Sequence, residues 1–468
     1  MIGDSAQRVR RRAAPRRRFA ARTLAALVAG ILLVSGVFAS TVAVMTGSAV
    51  PSAVGSLDSR GATRGAGDLA PAVRPTLAAR SGHLTAQRVA VAEDLLGRQA
   101  AAIRSGDRRA YLATVDPRAR AFAATAARTF DNLQRMRVRQ VHFGTPVVDT
   151  RGFAPARRAA LGPSAWVASA ELSFRLAAGD TQPWRTTLRM VFVDRDGASY
   201  LAGDREGQGP DTSLPLWLTE RIDVVHGEHS MVAGSAGRDE LRRFARTADL
   251  AVRRVSEVWG RRWDQYVVVL VPPSQTQMER LIGVDSHTQT AVAAVTTSVG
   301  RPDPALASHI VVNPHTFDQI GSLGRLVVLT HEATHVASHA TVSGMPVWLS
   351  EGFADYVGFH RSGLPSAVIA HEFLRDVHRR GAPDALPSGA EFDPRARALD
   401  EAYESAWTAC RYVAYHWDQA TLLRFYVAMD GARTKADQER VYRRVLGTSS
   451  DRFVQGWRAY VREHSDDD

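Results

Sequence analysis

At 468 residues, with 45% hydrophobic and 23% charged side chains, the chain has material for two globular domains and a tail, which excludes a wholly disordered or fibrous protein. The formal charge of +11 and pI near 10.4 invite a nucleic-acid partner, but residues 1–23 hold eight arginines against one acid, Asp4. The body therefore has no large basic excess to steer it to phosphate, and no nucleic-acid role is expected.

Leu24 to Thr46 is uncharged and apolar, about long enough for one helical crossing of a bilayer. With arginines crowded before it, the positive-inside rule puts the N-terminus in the cytoplasm and the bulk of the chain outside. The expectation is a single-pass cell-membrane anchor over 24–46, with secretion after signal cleavage as the alternative. Residues 47–83, rich in Ala, Gly, Ser, Pro and Arg without apolar periodicity, read as a flexible linker.

From Leu84 the pattern is helical, with Ala92, Leu96, Ala100 and Ile103 on one stripe. Asp107 can cap a short helix through Tyr111 and Leu112, and a further helix fits residues 118–135. The period then drops to two, with Leu172, Phe174 and Leu176, then Leu188, Met190 and Phe192, before an Asp196-Gly197 turn and a strand at Tyr200 and Leu201. Helices followed by antiparallel strands predict an α+β domain. The run RQAAAIRSGDRRAYLATVDP with long paired strands after it resembles the NTF2-like cone fold, over residues 84–213. That resemblance implies a module that binds a small molecule or a partner. No convergent acid–base set is visible within it.

A second α+β domain is expected over 222–468. His226 and His229 sit among glycines and polar residues and read as ordinary surface histidines. An amphipathic helix from Asp239 carries Leu241, Phe244, Ala248, Val252, Val255 and Val258 on one side. Tyr266 to Val271 predicts a buried strand, Ala291 to Thr297 and His309 to Val312 two more. A helix from Phe317 is expected to run unbroken through Leu329 into His331-Glu332-Ala333-Thr334-His335.

That last sequence matches HExxH, in which histidines four apart offer two imidazoles to one metal on the same helix face, with Glu332 beside them. Histidine at 341 would mark a metzincin, but Thr341 stands there. His339 lies about 12 Å along the axis from His331, too far to share an ion. Cys410 is the only cysteine, so a cysteine-built site is excluded; between Trp407 and Tyr412 it reads as a small buried hydrophobe. Glu351 is the better third ligand. Gly344 and Pro346 break the helix, and a second one from Val347 would fold back and bring Glu351 to the histidine pair, the His, His, Glu set of an open zinc site. Asp355, four residues on, could accept the other ring N–H of His331.

HEATH followed by WLSEGFADY resembles the gluzincin branch of the zinc peptidases, the peptidase MA-like superfamily that includes the thermolysin and M1 aminopeptidase types, over about residues 225–430. The resemblance implies a zinc metallopeptidase acting on a peptide or protein substrate, with His331, His335 and Glu351 on zinc, Glu332 as general base and Asp355 behind the ligands. It also implies an oxyanion-stabilising Tyr or His on a later helix. Tyr403 matches best by position, with Tyr412, Tyr415 and His416 as competitors. No GxMEN-type exopeptidase motif is present, and His335 and Glu351 are separated by 15 residues. Ala291 to Thr297 is a candidate edge strand for an extended peptide. The alternatives are an inactive peptidase-fold scaffold and a ligand-sensing surface protein acting through the NTF2-like domain.

Overall fold

The computed structural model of the protein describes residues 77–149, 153–178, 182–207, 213–284, 292–297, 308–340 and 343–464. The expected basic segment 1–23 and anchor 24–46 lie outside these residues. Among the described residues no helix is long and apolar enough to cross a membrane. The linker expected over 47–83 ends early, because helix α1 begins at Leu77 and continues to Ser105.

The α1 stripe of Ala92, Leu96, Ala100 and Ile103 is buried. Gly106, at φ 72, turns the chain out of the helix. The Asp107 carboxylate then accepts from the Ala110 N–H at 2.9 Å, capping the short helix Arg108–Leu112. Helix α2 (Arg120–Arg135) leads into β1 (Val138–Phe143), β2 (Val147–Asp149), β3 (Trp166–Leu176), β4 (Trp184–Arg195) and β5 (Ala198–Gly203). These form one antiparallel sheet ordered β1–β3–β4–β5, with β2 also paired to β3. Leu172, Phe174, Leu188, Met190 and Phe192 point into the core, while Glu171, Arg185 and Thr187 face water. Asp196 and Gly197, both at positive φ (52 and 84), make the turn into β5.

The second unit is built on β6 (Asp223–His226), β7 (Ser230–Gly234), β8 (Val267–Val271), β9 (Ala294–Thr297) and β10 (His309–Val312), in the order β6–β7–β8–β10–β9. The three inner strands are parallel and the two outer ones antiparallel. A parallel pair needs a crossover, and α3 (Arg238–Trp259) supplies it between β7 and β8. All of β8 is buried, as its unbroken apolar run requires of a strand covered on both faces.

The unbroken helix expected from Phe317 is instead two. A short helix, Pro314–Gln319, is separated from α4 (Ser322–Ser338) by Ile320 and Gly321, both extended. After α4 come α5 (Val347–Phe359), α6 (His371–Arg380), α7 (Leu399–His416), α8 (Gln419–Asp430) and α9 (Ser450–Glu463).

The second sheet divides the interior. Val232, Val269 and Ile310 pack with α3, α4, α5 and the C-terminal helices in one core. On the other face Met231, Val268, Leu270 and Val311 continue directly into the core of the first unit, among Leu188, Phe174 and Trp217. Across that seam the Trp184 ring lies 3.8 Å, centroid to centroid, from the His309 ring. The first unit thus covers the face of the second sheet that α3 and α4 leave bare.

Candidate metal centre

Helix α4 is buried along most of its length, which leaves its imidazoles no water to face. It ends at His339, whose φ of 52 is left-handed; the cap withdraws that side chain from the helix, and His339 is not in the cluster described below. Helix α5 then folds back against α4, and close approaches permit it. A Cβ on Gly352 would stand 2.3 Å from the Ala406 carbonyl oxygen of α7, and one on Gly358 3.1 Å from the Val327 carbonyl oxygen of α4. The glycines of the EGFADYVG run are therefore packing requirements that draw α4, α5 and α7 together.

At that junction His331, His335 and Glu351 meet, all about 1% exposed. Glu351 Oε2 is 3.3 Å from His331 Nε2 and 3.4 Å from His335 Nε2. The two Nε2 atoms are 2.9 Å apart. Ligands of a tetrahedral zinc at about 2.0–2.1 Å would stand about 3.3–3.4 Å from each other, so two of the three spacings fit and the third needs only a small opening. Among the described residues this is the one such cluster of His, Cys, Asp and Glu, and it offers three donors, which leaves the fourth position of a tetrahedral ion to a small molecule.

The rest of the chemistry also fits a metal. Neither Glu351 carboxylate oxygen accepts a hydrogen bond, nor does Oε1 of Glu332, though all three atoms are buried. Glu332, Glu351 and Asp355 bury three carboxylates within one core, a charge that a divalent cation would offset. Asp355 Oδ1 is 2.7 Å from His331 Nδ1, which leaves Nε2 of that ring for an ion. Burial alone would lower the pKa of His331, but Asp355 and Glu351 outweigh it and lift the ring to about 10. Glu351 is held down at about 2: its burial works the other way, and the two imidazoles prevail.

Glu332 sits beside the cluster with its Oε2 2.6 Å from the Thr296 hydroxyl of β9. Tyr403 reaches the cluster from α7, its ring centroid 6.4 Å from that of His331. Burial, then the charges of Glu351, Asp355 and Glu332, pushes its phenol well above 10.0 and keeps it protonated. The competing residues lie elsewhere: Tyr412 packs against Phe453 and Trp417, Tyr415 is 66% exposed, and His416 meets Trp417 edge-on. His226 and His229 contact the carbonyls of Arg135 and Gln265 and stand apart from the centre. Cys410 is fully buried, and that burial pushes its thiol up, so it is inert.

Two neighbours were not readable from sequence. Thr296 gave no signal beyond its place in a predicted strand. Tyr426 of α8, which donates to Ser338 at 3.1 Å behind the ligands, gave none.

No family model matches the chain, and no curated protein matches it. Crystal structures of a two-domain M1 zinc metallopeptidase bound to L-arginine or to L-tryptophan are similar at TM-scores of 0.30 and 0.29, each with 14% identity. One bound to a Tyr-Ser-Ala substrate, from Deinococcus radiodurans, is similar at 0.29. In each case the likeness covers 64% of this chain and 61% of the other. The NTF2-like resemblance of residues 84–213 gains no support from these structures.

Proposed function

We propose that the chain is a zinc-dependent metallopeptidase of the gluzincin type. The carrying observation is the convergence of His331, His335 and Glu351 with a free oxygen of Glu332 beside them. When bound there, zinc supplies Lewis acidity that acidifies a water molecule and polarises the scissile carbonyl. Glu332 takes the proton of the attacking water on Oε1 and returns it to the leaving amine. Tyr403, held protonated, donates to the oxyanion that develops on the carbonyl. Asp355 fixes the His331 tautomer through Nδ1. The strand β9, outermost in its sheet among the described residues, would pair with an extended peptide, an interaction that needs only backbone hydrogen bonds.

The centre is closed over its ligands, each about 1% exposed. That closure favours a second reading, a scaffold with a purely structural ion, but structural zinc sites fill all four positions with protein donors. The arginines of 1–23 and the apolar run 24–46 support a membrane anchor with the centre outside the cytoplasm.

The test is digestion of a peptide library by the full chain, with and without chelator, beside Glu332→Gln and Glu351→Ala. Glu332→Gln should lose about 100-fold or more in kcat while keeping its zinc. Glu351→Ala should lose the zinc itself. Wild-type activity in Glu332→Gln would sink the mechanism, and full zinc retention in Glu351→Ala would remove that residue from the ligand set.

A further inference from the structure

Thr296 belongs to no part of the chemistry described so far, yet its side chain is 3% exposed and aimed at the general base. Alternation along β9 explains the direction. Ala294 joins the core on the α4 side of the sheet and Val295 the core on the other, so Thr296 must face α4. Its Oγ1 lies 2.6 Å from Glu332 Oε2 and 3.1 Å from the Glu332 carbonyl oxygen.

A hydroxyl has one proton, and the carbonyl oxygen and the carboxylate form that a general base requires both only accept. The shorter contact falls in the range of a charge-assisted O–H···O⁻ bond, so the proton goes to the carboxylate. Oε1 of the same carboxylate has no partner. One oxygen of Glu332 is thus tied to the sheet and the other left free, which fixes the direction in which the free one points.

We infer that Thr296 is the positioning residue of the general base: its hydroxyl holds Glu332 Oε2 so that Oε1 is presented to the attacking water. The inference rests on the peptidase reading. It also joins two functions of one strand, since β9 is the outer strand proposed to seat the peptide and Thr296 reaches from it to the residue that moves the proton. A misplacement of the base by about 1 Å can cost on the order of 100-fold in rate without weakening substrate binding.

The experiment compares the full chain with Thr296→Val, which keeps the shape and removes the hydroxyl, and Thr296→Ser, which keeps the hydroxyl. Hydrolysis of a fluorescence-quenched peptide library gives kcat and KM, and elemental analysis gives zinc per chain. Thr296→Val should lose about 10–100-fold in kcat, with KM within about twofold and zinc unchanged, and Thr296→Ser should restore kcat to within about threefold of wild type. Should the valine variant not fold, Thr296→Ala against Thr296→Ser reads the same split. An active wild type with an unaffected Thr296→Val overturns this inference alone. So does a Thr296→Ser as impaired as the valine variant, or a loss that travels with zinc or with KM. A wild type without chelator-sensitive hydrolysis overturns the peptidase reading, and this inference with it.

Discussion

Two buried histidines on opposite sides of the second sheet's strand–helix layer have opposite fates. His309, at the seam with the first unit, makes no hydrogen bond through either ring nitrogen, and burial drives it down to about 3. His331, as deeply buried in the helical core, is lifted to about 10 because Asp355 and Glu351 stand against its two nitrogens. Desolvation acts on both rings alike, so the carboxylates make the difference. The seam is an apolar packing surface where the histidine ring lies tilted against Trp184. The helical core has gathered carboxylates that hold the ring's proton in place. Burial of a histidine therefore says little about function, and the groups around the ring say nearly everything.

Removing one side of the comparison should have the largest effect. A fragment of residues 215–468 bares Met231, Val268, Leu270 and Val311 on the second sheet, together with His309, which loses Trp184. It should aggregate where the longer chain stays monodisperse on size exclusion. A soluble, folded fragment would show that the seam is dispensable and would reopen a sensing role for the first unit.

On the charged side, Tyr403→Phe removes a buried hydroxyl with little change of shape. It should reduce kcat about 100-fold with zinc content intact, as loss of an oxyanion donor does. Unchanged kcat would leave Tyr403 as a core residue beside Phe392, whose ring meets it edge-on at 5.1 Å.

The seam makes a smaller, pH-dependent prediction. His309 binds its proton at about 3 in the folded protein, against 6.5 ordinarily. Between those values the unfolded chain holds more protons, so the full stability present above about 6.5 is lost as pH falls toward 3. The slope is about 1.4 kcal/mol per pH unit, or about 2 kcal/mol by pH 5. Denaturant titrations of wild type and His309→Phe should diverge along that slope, with the phenylalanine variant the less acid-sensitive. Parallel curves would mean that His309 escapes the seam before it is protonated.

Much of the candidate site was legible because its signals are local. Histidines four apart share a helix face wherever that helix sits, and Glu351 and Asp355 share the next one for the same reason. The strands Leu172–Leu176, Leu188–Phe192 and Val267–Val271 were legible for their alternation or their unbroken apolar run. Strand β1 was not, because its register shifts between Arg139 and His142, with Gln140 at φ 53, and its burial no longer alternates. The helix break at Ile320 and Gly321 was hidden because Phe317, Ile320, Leu323 and Leu326 recur every third residue straight across it.

What the sequence by itself determined is which residues share a face, since helix and strand periods are properties of the backbone and survive any arrangement of the elements. Only the tertiary structure decided which faces meet. It set Tyr403 near His331, where Gly352 lets α5 and α7 touch, brought Thr296 to Glu332 from a strand 36 residues earlier, and laid Trp184 at a tilt against His309 across two units. Those contacts depend on crossing distances and on the order of strands in a sheet, and no local period carries that information.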